Sequence, residues 1–221
     1  MCGRFSQAQE IEDLLDEFPF IDKGFEDLIL TPRYNIAPTQ LGPVIINEDG
    51  KNKLKMFKWG LIPFWADSED IYLINARTET VNEKSSFKGL FKKYRCLVVA
   101  DGFYEWTKAN KHKVPYRITL KDQKLFGFAG LWNKWDKGSR PIFTFTILTV
   151  NSNELVGKIH NRMPLIIDKD NYDIWLNPKK NEMEIKEIMQ LTDSEKMDMY
   201  EVSTVVNNPD NDFLECIKPI K

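Results

Sequence analysis

The sequence predicts a single α+β domain, a mainly antiparallel and barrel-like sheet with flanking helices, and three observations predict it. Segments rich in β-branched and aromatic residues fill the middle of the chain, at 43–46, 54–59, 96–106, 116–120, 125–131, 142–150 and 164–167; runs of that composition and length read as strands. Amphipathic helical patterns lie at 8–18 and 184–189, with shorter ones at 154–159 and 172–176, so helices flank the sheet rather than alternate with it strand by strand. No repeat, low-complexity run or Pro/Gly/Ser-rich linker divides the 221 residues. With 42% hydrophobic residues the chain can fill one core. Residues 1–221 are therefore read as one domain, with 168–221 packed onto the same body.

Composition excludes several classes of function. The opening Met1-Cys2-Gly3-Arg4-Phe5 lacks the apolar run of a secretory signal, and no stretch approaches the ~20 apolar residues of a membrane span. The expectation is a soluble, cytoplasmic protein with no membrane partner. Cys2, Cys96 and Cys216 are odd in number and far apart, matching neither a disulfide framework nor zinc-ligand spacing. With only His112 and His160 besides, no metal and no cofactor are expected. The balance of 31 Lys+Arg against 33 Asp+Glu leaves a net charge of -2, which argues against coating nucleic acid by bulk charge. Basic residues do gather locally, at Arg77, Lys84, Lys88, Lys92, Lys93 and Arg95, against only Glu79 and Glu83.

Cys2 is the first candidate for chemistry. Removal of Met1 would leave its α-amine and thiol on one residue. An amine of ordinary N-terminal pKa, about 7.7 to 8.0, is partly neutral at physiological pH and condenses with aldehydes. The thiol beside it then closes a five-membered thiazolidine. Asn75, Arg77 and Glu79 form a second candidate, sharing one face if 74–80 is extended, with an amide and a guanidinium suited to sugar and phosphate oxygens. Glu105 ends the apolar run 96–106, where partial burial would raise its carboxyl toward neutrality, and Trp106 offers a face for an unstacked base. His160 reads as a proton shuttle, with Asn161 and Arg162 beside it as phosphate ligands; His112, in a lysine-rich hairpin turn, reads as having no role. Two Pro- and aromatic-bearing loops, around Pro38 and around Trp65, are surfaces able to stack bases or wedge a junction.

Met1 to Phe5, Tyr34-Asn35-Ile36-Ala37-Pro38-Thr39, Trp59-Gly60-Leu61-Ile62-Pro63, Asn75-Ala76-Arg77-Thr78-Glu79-Thr80, Asp101-Gly102-Phe103-Tyr104-Glu105-Trp106 and His160-Asn161-Arg162-Met163-Pro164, in that order, resemble the SOS-response-associated peptidase (SRAP) family from Cys2 to about Ile167. The tail beyond Tyr172 carries no such block, though a strand near 200–204 would suit the family fold. The resemblance implies a DNA-binding groove and a sensor and shield of abasic sites in single-stranded DNA, acting through a covalent thiazolidine crosslink at Cys2. It implies that Met1 is removed, by the protein itself, which accounts for the peptidase name; an accessory lyase activity stays open. Carried over by motif, Cys2 is the nucleophile, Asn75 hydrogen-bonds near the sugar junction, Glu105 is the acid–base residue and His160 assists ring opening. Arg4, Arg77 and Arg162 match phosphate-binding positions, and Trp65, Trp106 and Pro38 line the groove. Single-stranded DNA bearing abasic sites is the implied partner, bound by a monomer that becomes nucleoid-associated on DNA. The chain departs from the pattern after the Asn75 block, where Lys84 and Lys88 stand in place of arginines and supply charge without a bidentate fork. Two other readings of the same residues remain open: a cysteine peptidase or amidohydrolase acting in trans through Cys2, His160 and Asn75, and a non-covalent single-strand-binding module.

Overall fold

The computed structural model describes residues 2–22, 30–109 and 112–220. Met1, residues 23–29, 110–111 and 221, and the side chains of Lys108, Ala109 and His112, on which the reading of His112 falls, lie outside them. The chain forms the expected single α+β domain. Strands β1 (Phe5–Gln7), β2 (Arg33–Ile36), β3 (Leu41–Glu48), β4 (Lys51–Trp59), β5 (Asn75–Arg77), β6 (Arg95–Ala100), β7 (Gly102–Ala109), β8 (His112–Leu120), β9 (Phe126–Trp135), β10 (Ile142–Asn151), β11 (Arg162–Pro164), β12 (Ile166–Ile167) and β13 (Met197–Glu201) make two sheets. Helices α1 (Ile11–Glu17), α2 (Ser85–Lys93), α3 (Glu154–Gly157), α4 (Tyr172–Leu176) and α5 (Glu182–Glu187) pack around them.

The hub is β10. Along one edge it pairs in parallel with β4 and then β5, and along the other it pairs antiparallel with β9 and then β11. Because β9 continues through β6 and β3 back to β4, the order β10-β4-β3-β6-β9 closes on itself, which removes the free edges an open sheet would carry. The second sheet, ordered β13-β8-β7-β1-β2, is antiparallel throughout. Alternation along the barrel strands sorts side chains into two layers. Val44, Ile46, Cys96, Val98, Phe128, Phe145 and Ile147 pack with Phe5, Phe103 and Ile118 of the second sheet. Ile45, Leu97, Val99, Ala129, Leu131 and Leu148 face the other way, onto Leu14, Phe87, Phe91, Trp175 and Ile185 of the helices.

Four expectations are corrected. The run 96–106 is two strands, not one: the chain turns at Asp101 and Gly102 and passes from the barrel into the second sheet. Glu105 therefore sits inside β7, opposite Tyr116, rather than at a strand end. The extended segment 74–80 stops at Arg77, and Thr78–Thr80 coils into a 3-10 turn that takes Glu79 off the face of Asn75 and Arg77. Arg95 does not belong to the basic surface; it is buried and donates to the carbonyls of Phe91, Lys92, Trp175 and Asn177, at 2.5–2.9 Å. It thus satisfies the open C-terminal ends of α2 and α4. Burial pushes its guanidinium down to about 10, which leaves it charged at neutral pH. The tail strand runs Met197–Glu201, slightly earlier than expected, and pairs with β8. No described helix is long and apolar enough to cross a membrane.

The corner at Asp101 fixes the N-terminal segment. Ser6 Oγ donates to Asp101 Oδ1 at 2.6 Å, Arg117 Nη2 donates to the same oxygen at 2.8 Å, and Ala8 N–H donates to Oδ2 at 2.9 Å. Arg117 packs so closely over Gly102 that a Cβ there would lie 2.8 Å from its guanidinium carbon, which explains the glycine.

Candidate active site

Laying β1 antiparallel against β7, with Phe5 opposite Phe103, carries the chain before Phe5 toward Glu105. Cys2 is fully buried, and its thiol donates to the Arg4 carbonyl at 3.7 Å, an oxygen that also accepts the Tyr104 N–H at 3.0 Å. Burial pushes the Cys2 thiol well up, and the Glu105 carboxylate adds to the shift, so the resting thiol keeps its proton at neutral pH.

Asn75 begins β5, in register with Ile147 of β10. The indole N–H of Trp59, stacked on Phe145 and edge-on to Phe5, donates to the Ile74 carbonyl at 2.9 Å and pins the residue before it. Asn75 Nδ2 then donates to the Cys2 carbonyl at 2.8 Å, while its Oδ1 is buried with no hydrogen-bond partner among the described residues. Glu105 is 4% exposed. His160 Nδ1 stands 3.9 Å from Glu105 Oε1. The Arg162 backbone presents its N–H 3.0 Å and its carbonyl 3.1 Å from that same nitrogen. The ring thus finds a partner whether Nδ1 accepts or donates, and changing protonation state requires no movement. The fold brings Cys2, Asn75, Glu105 and His160 into one cluster from the N-terminus, β5, β7 and the turn before β11.

Burial raises the Glu105 carboxyl, against the opposing charge of His160. The folded state therefore binds this proton more tightly than the unfolded chain does. Stability is lost as pH climbs from the ordinary glutamate value, about 4.3, through the folded one. Glu105→Gln escapes that loss. Its melting temperature should match wild type near pH 4 and exceed it at pH 8; a variant less stable than wild type at pH 8 would contradict the buried-acid description.

The other expected site residues differ in exposure. Arg4 is half-buried, lies 5.8 Å over the Trp106 ring, and donates through Nη1 to Asn35 Oδ1 at 2.6 Å and to the Val206 carbonyl at 2.8 Å. Arg77 is exposed at the end of β5. Trp65 is 45% exposed beside exposed Phe64, and its indole N–H donates to Ser86 Oγ at 3.1 Å. Pro38 lies in the turn whose Thr39 N–H donates to the Trp59 carbonyl, so its loop and the Trp65 loop both hang from the end of β4. Arg162 differs from the rest: its guanidinium is buried and bonded to Glu79, Thr149 and Asn151. That pairing holds the Glu79 carboxyl below its usual range. Among the described residues no cluster of His, Cys, Asp and Glu could hold a metal ion.

A family model described as SOS response associated peptidase (SRAP) matches residues 1–209. The chain belongs to this family. It is 43% identical over 223 residues to the abasic site processing protein YoqW of Bacillus subtilis strain 168, with 99% of each chain covered. It is 35% identical over 226 residues to the abasic site processing protein HMCES of Gallus gallus, covering 86% of this chain and 67% of that one. Among solved structures, a protein of Bacteroides thetaiotaomicron superposes over 100% of both chains with a TM-score of 0.87 at 28% identity. Within this SRAP fold, reading the sequence missed the tail. Asn35 Nδ2 donates to the carbonyls of Val206, Asn208 and Asn211, and Asp212 accepts the N–H groups of Tyr34 and Asn35 and pairs with Arg33. The Asn/Asp/Pro run at 207–212 was the available signal, since such clusters mark built loops.

Proposed function

We propose that the protein senses abasic sites in single-stranded DNA and shields them by forming a thiazolidine with Cys2, once Met1 has been removed by the protein's own peptidase activity. The observation that carries this is the Asn75 amide held 2.8 Å from the Cys2 carbonyl, within a cluster that also holds the buried Glu105 carboxyl and His160. The printed names of the relatives, abasic site processing proteins, support the substrate.

The ring-opened abasic sugar presents an aldehyde. The Cys2 amine adds to its carbon, water leaves as the imine forms, and the thiol adds across the C=N bond with its proton ending on nitrogen. One water is lost overall. Glu105, whose carboxyl is raised by burial, is placed to give a proton to the departing hydroxyl and to take one from the thiol. His160 opens the sugar ring by passing a proton between ring oxygen and anomeric hydroxyl. Asn75 Oδ1, unpartnered and buried, accepts from the new amine or sugar hydroxyl and stops rotation at the junction. Arg4 and Arg77 take the flanking phosphates, and Trp65, Trp106 and Pro38 take the neighbouring bases.

Intact-mass spectrometry tests the reading. Protein incubated with abasic single-stranded DNA should gain the mass of the oligonucleotide less one water. Absence of that species in protein lacking Met1, or equal labelling of an undamaged oligonucleotide, would overturn it.

A further inference from the structure

We infer that the C-terminal loop around Thr204–Asn207 is the second wall of the DNA groove, and that Asn207 is a positioning residue which sets the plane of Trp106. The inference rests on the reading of Trp106 and Arg4 as strand-binding groups. Trp106 is half-buried on β7, next to Glu105 in sequence. Its ring leans on Tyr104, centroids 6.4 Å apart, and its indole N–H donates to Asn207 Oδ1 at 2.7 Å. Tyr104 and Arg4 also contact the ring, but contacts of that kind are non-directional; the directional hydrogen bond from its N–H fixes the rotamer and with it the surface offered to a base. Asn207 is itself exposed, so its hydrogen bond holds the indole at the solvent-facing side of the loop.

The rest of the loop is built to hold this position. Val206 is fully buried, and its carbonyl accepts from both Arg4 and Asn35. Asn211 Nδ2 donates to the Val205 carbonyl at 2.8 Å, and Ser203 caps the 3-10 turn through Val205 N–H. Arg4 and Trp106 are thus each tied to the same four-residue turn while touching one another. A segment lacking any recognised block fixes the two groups that flank the strand.

The test measures crosslink formation against DNA concentration, using an abasic single-stranded oligonucleotide with wild type, Asn207→Ala, Trp106→Phe and the double variant. Losing one hydrogen bond that orders a stacking platform should raise the half-saturating concentration roughly three- to tenfold, with the maximal rate within about twofold, because the reacting groups are untouched. In the Trp106→Phe background, which lacks the indole donor, Asn207→Ala should add little. An unchanged half-saturation, or full additivity with Trp106→Phe, would overturn the assignment. Should wild type form no crosslink, the failure belongs to the proposed chemistry; fluorescence anisotropy of reversible binding with the same four proteins still reads Asn207, by the same pattern of non-additivity.

Discussion

Cys2→Ala, with Met1 removed, should yield no crosslink that survives denaturation, while still giving a product that borohydride traps. The reasoning separates the two functional groups of one residue. Alanine at position 2 keeps the α-amine, so imine formation with the abasic aldehyde proceeds; without the thiol no ring closes, and the imine hydrolyses when the protein unfolds. Borohydride reduces that imine to a stable amine. The loss of stable adduct should be complete, because no other group on residue 2 substitutes for sulfur, and Cys96 and Cys216 are both buried elsewhere. Alanine fills most of the small Cys2 site, so the fold should survive, which a thermal melt would verify. Two results would contradict the mechanism: an undiminished stable adduct, or loss of the borohydride-trapped product together with the stable one.

The second large effect concerns stability. Asp101→Ala should destabilise the fold by about 3–5 kcal/mol, because it strands Arg117 in a buried setting. Arg117 and Asp101 side chains are 8% and 2% exposed and lie 2.8 Å apart, and the carboxylate also takes Ser6 Oγ and the Ala8 N–H. Removing it leaves a charge and two donors unpaired at once. In a chain of this length each kcal/mol moves the melting temperature roughly 2–4 °C, so a fall on the order of 10 °C is expected. Chemical denaturation and a thermal melt both read it. A shift under ~1 kcal/mol would show that the corner is not a buried charge network. The crosslinking rate should fall as well, since β1, which sets the place of Cys2, is fastened through Ser6 to this corner.

The parts of the fold that were legible in the sequence are those written in local alternation. The β4 and β10 patterns, and Tyr172–Leu176 as a helix, follow from side-chain period alone. Helix α2 was not legible: it has no side-chain N-cap, contains Gly89, and is helical because Phe87 and Phe91 bury against the barrel. The division at Asp101 was equally hidden, because the residues that turn the chain there are Ser6 and Arg117, distant in sequence. For the site, the blocks around Cys2, Asn75, Glu105 and His160 named the cluster. Arg162 shows the limit of reading by residue type: an arginine next to His160 suggests a phosphate ligand, yet Glu79, Thr149 and Asn151 take both of its terminal nitrogens. Glu79 stood in the same block as Asn75, and only the 3-10 turn reveals that it faces Arg162.

The bond from Arg4 to the Val206 carbonyl spans 202 positions of the chain. On the ribosome Cys2 and Arg4 emerge long before the loop that holds Arg4. At about 5–20 residues per second, some ten seconds or more separate the two. Through that interval β1 has no β7 to lie against, β10 has not gathered its four partners, and Arg4 has no wall. On the proposed reading, in which the folded protein removes its own Met1, the amine of Cys2 stays blocked throughout that interval. Folding of so non-local a topology is intrinsically slow, so tying Met1 removal to the finished fold would keep the aminothiol masked until the groove that selects its target exists.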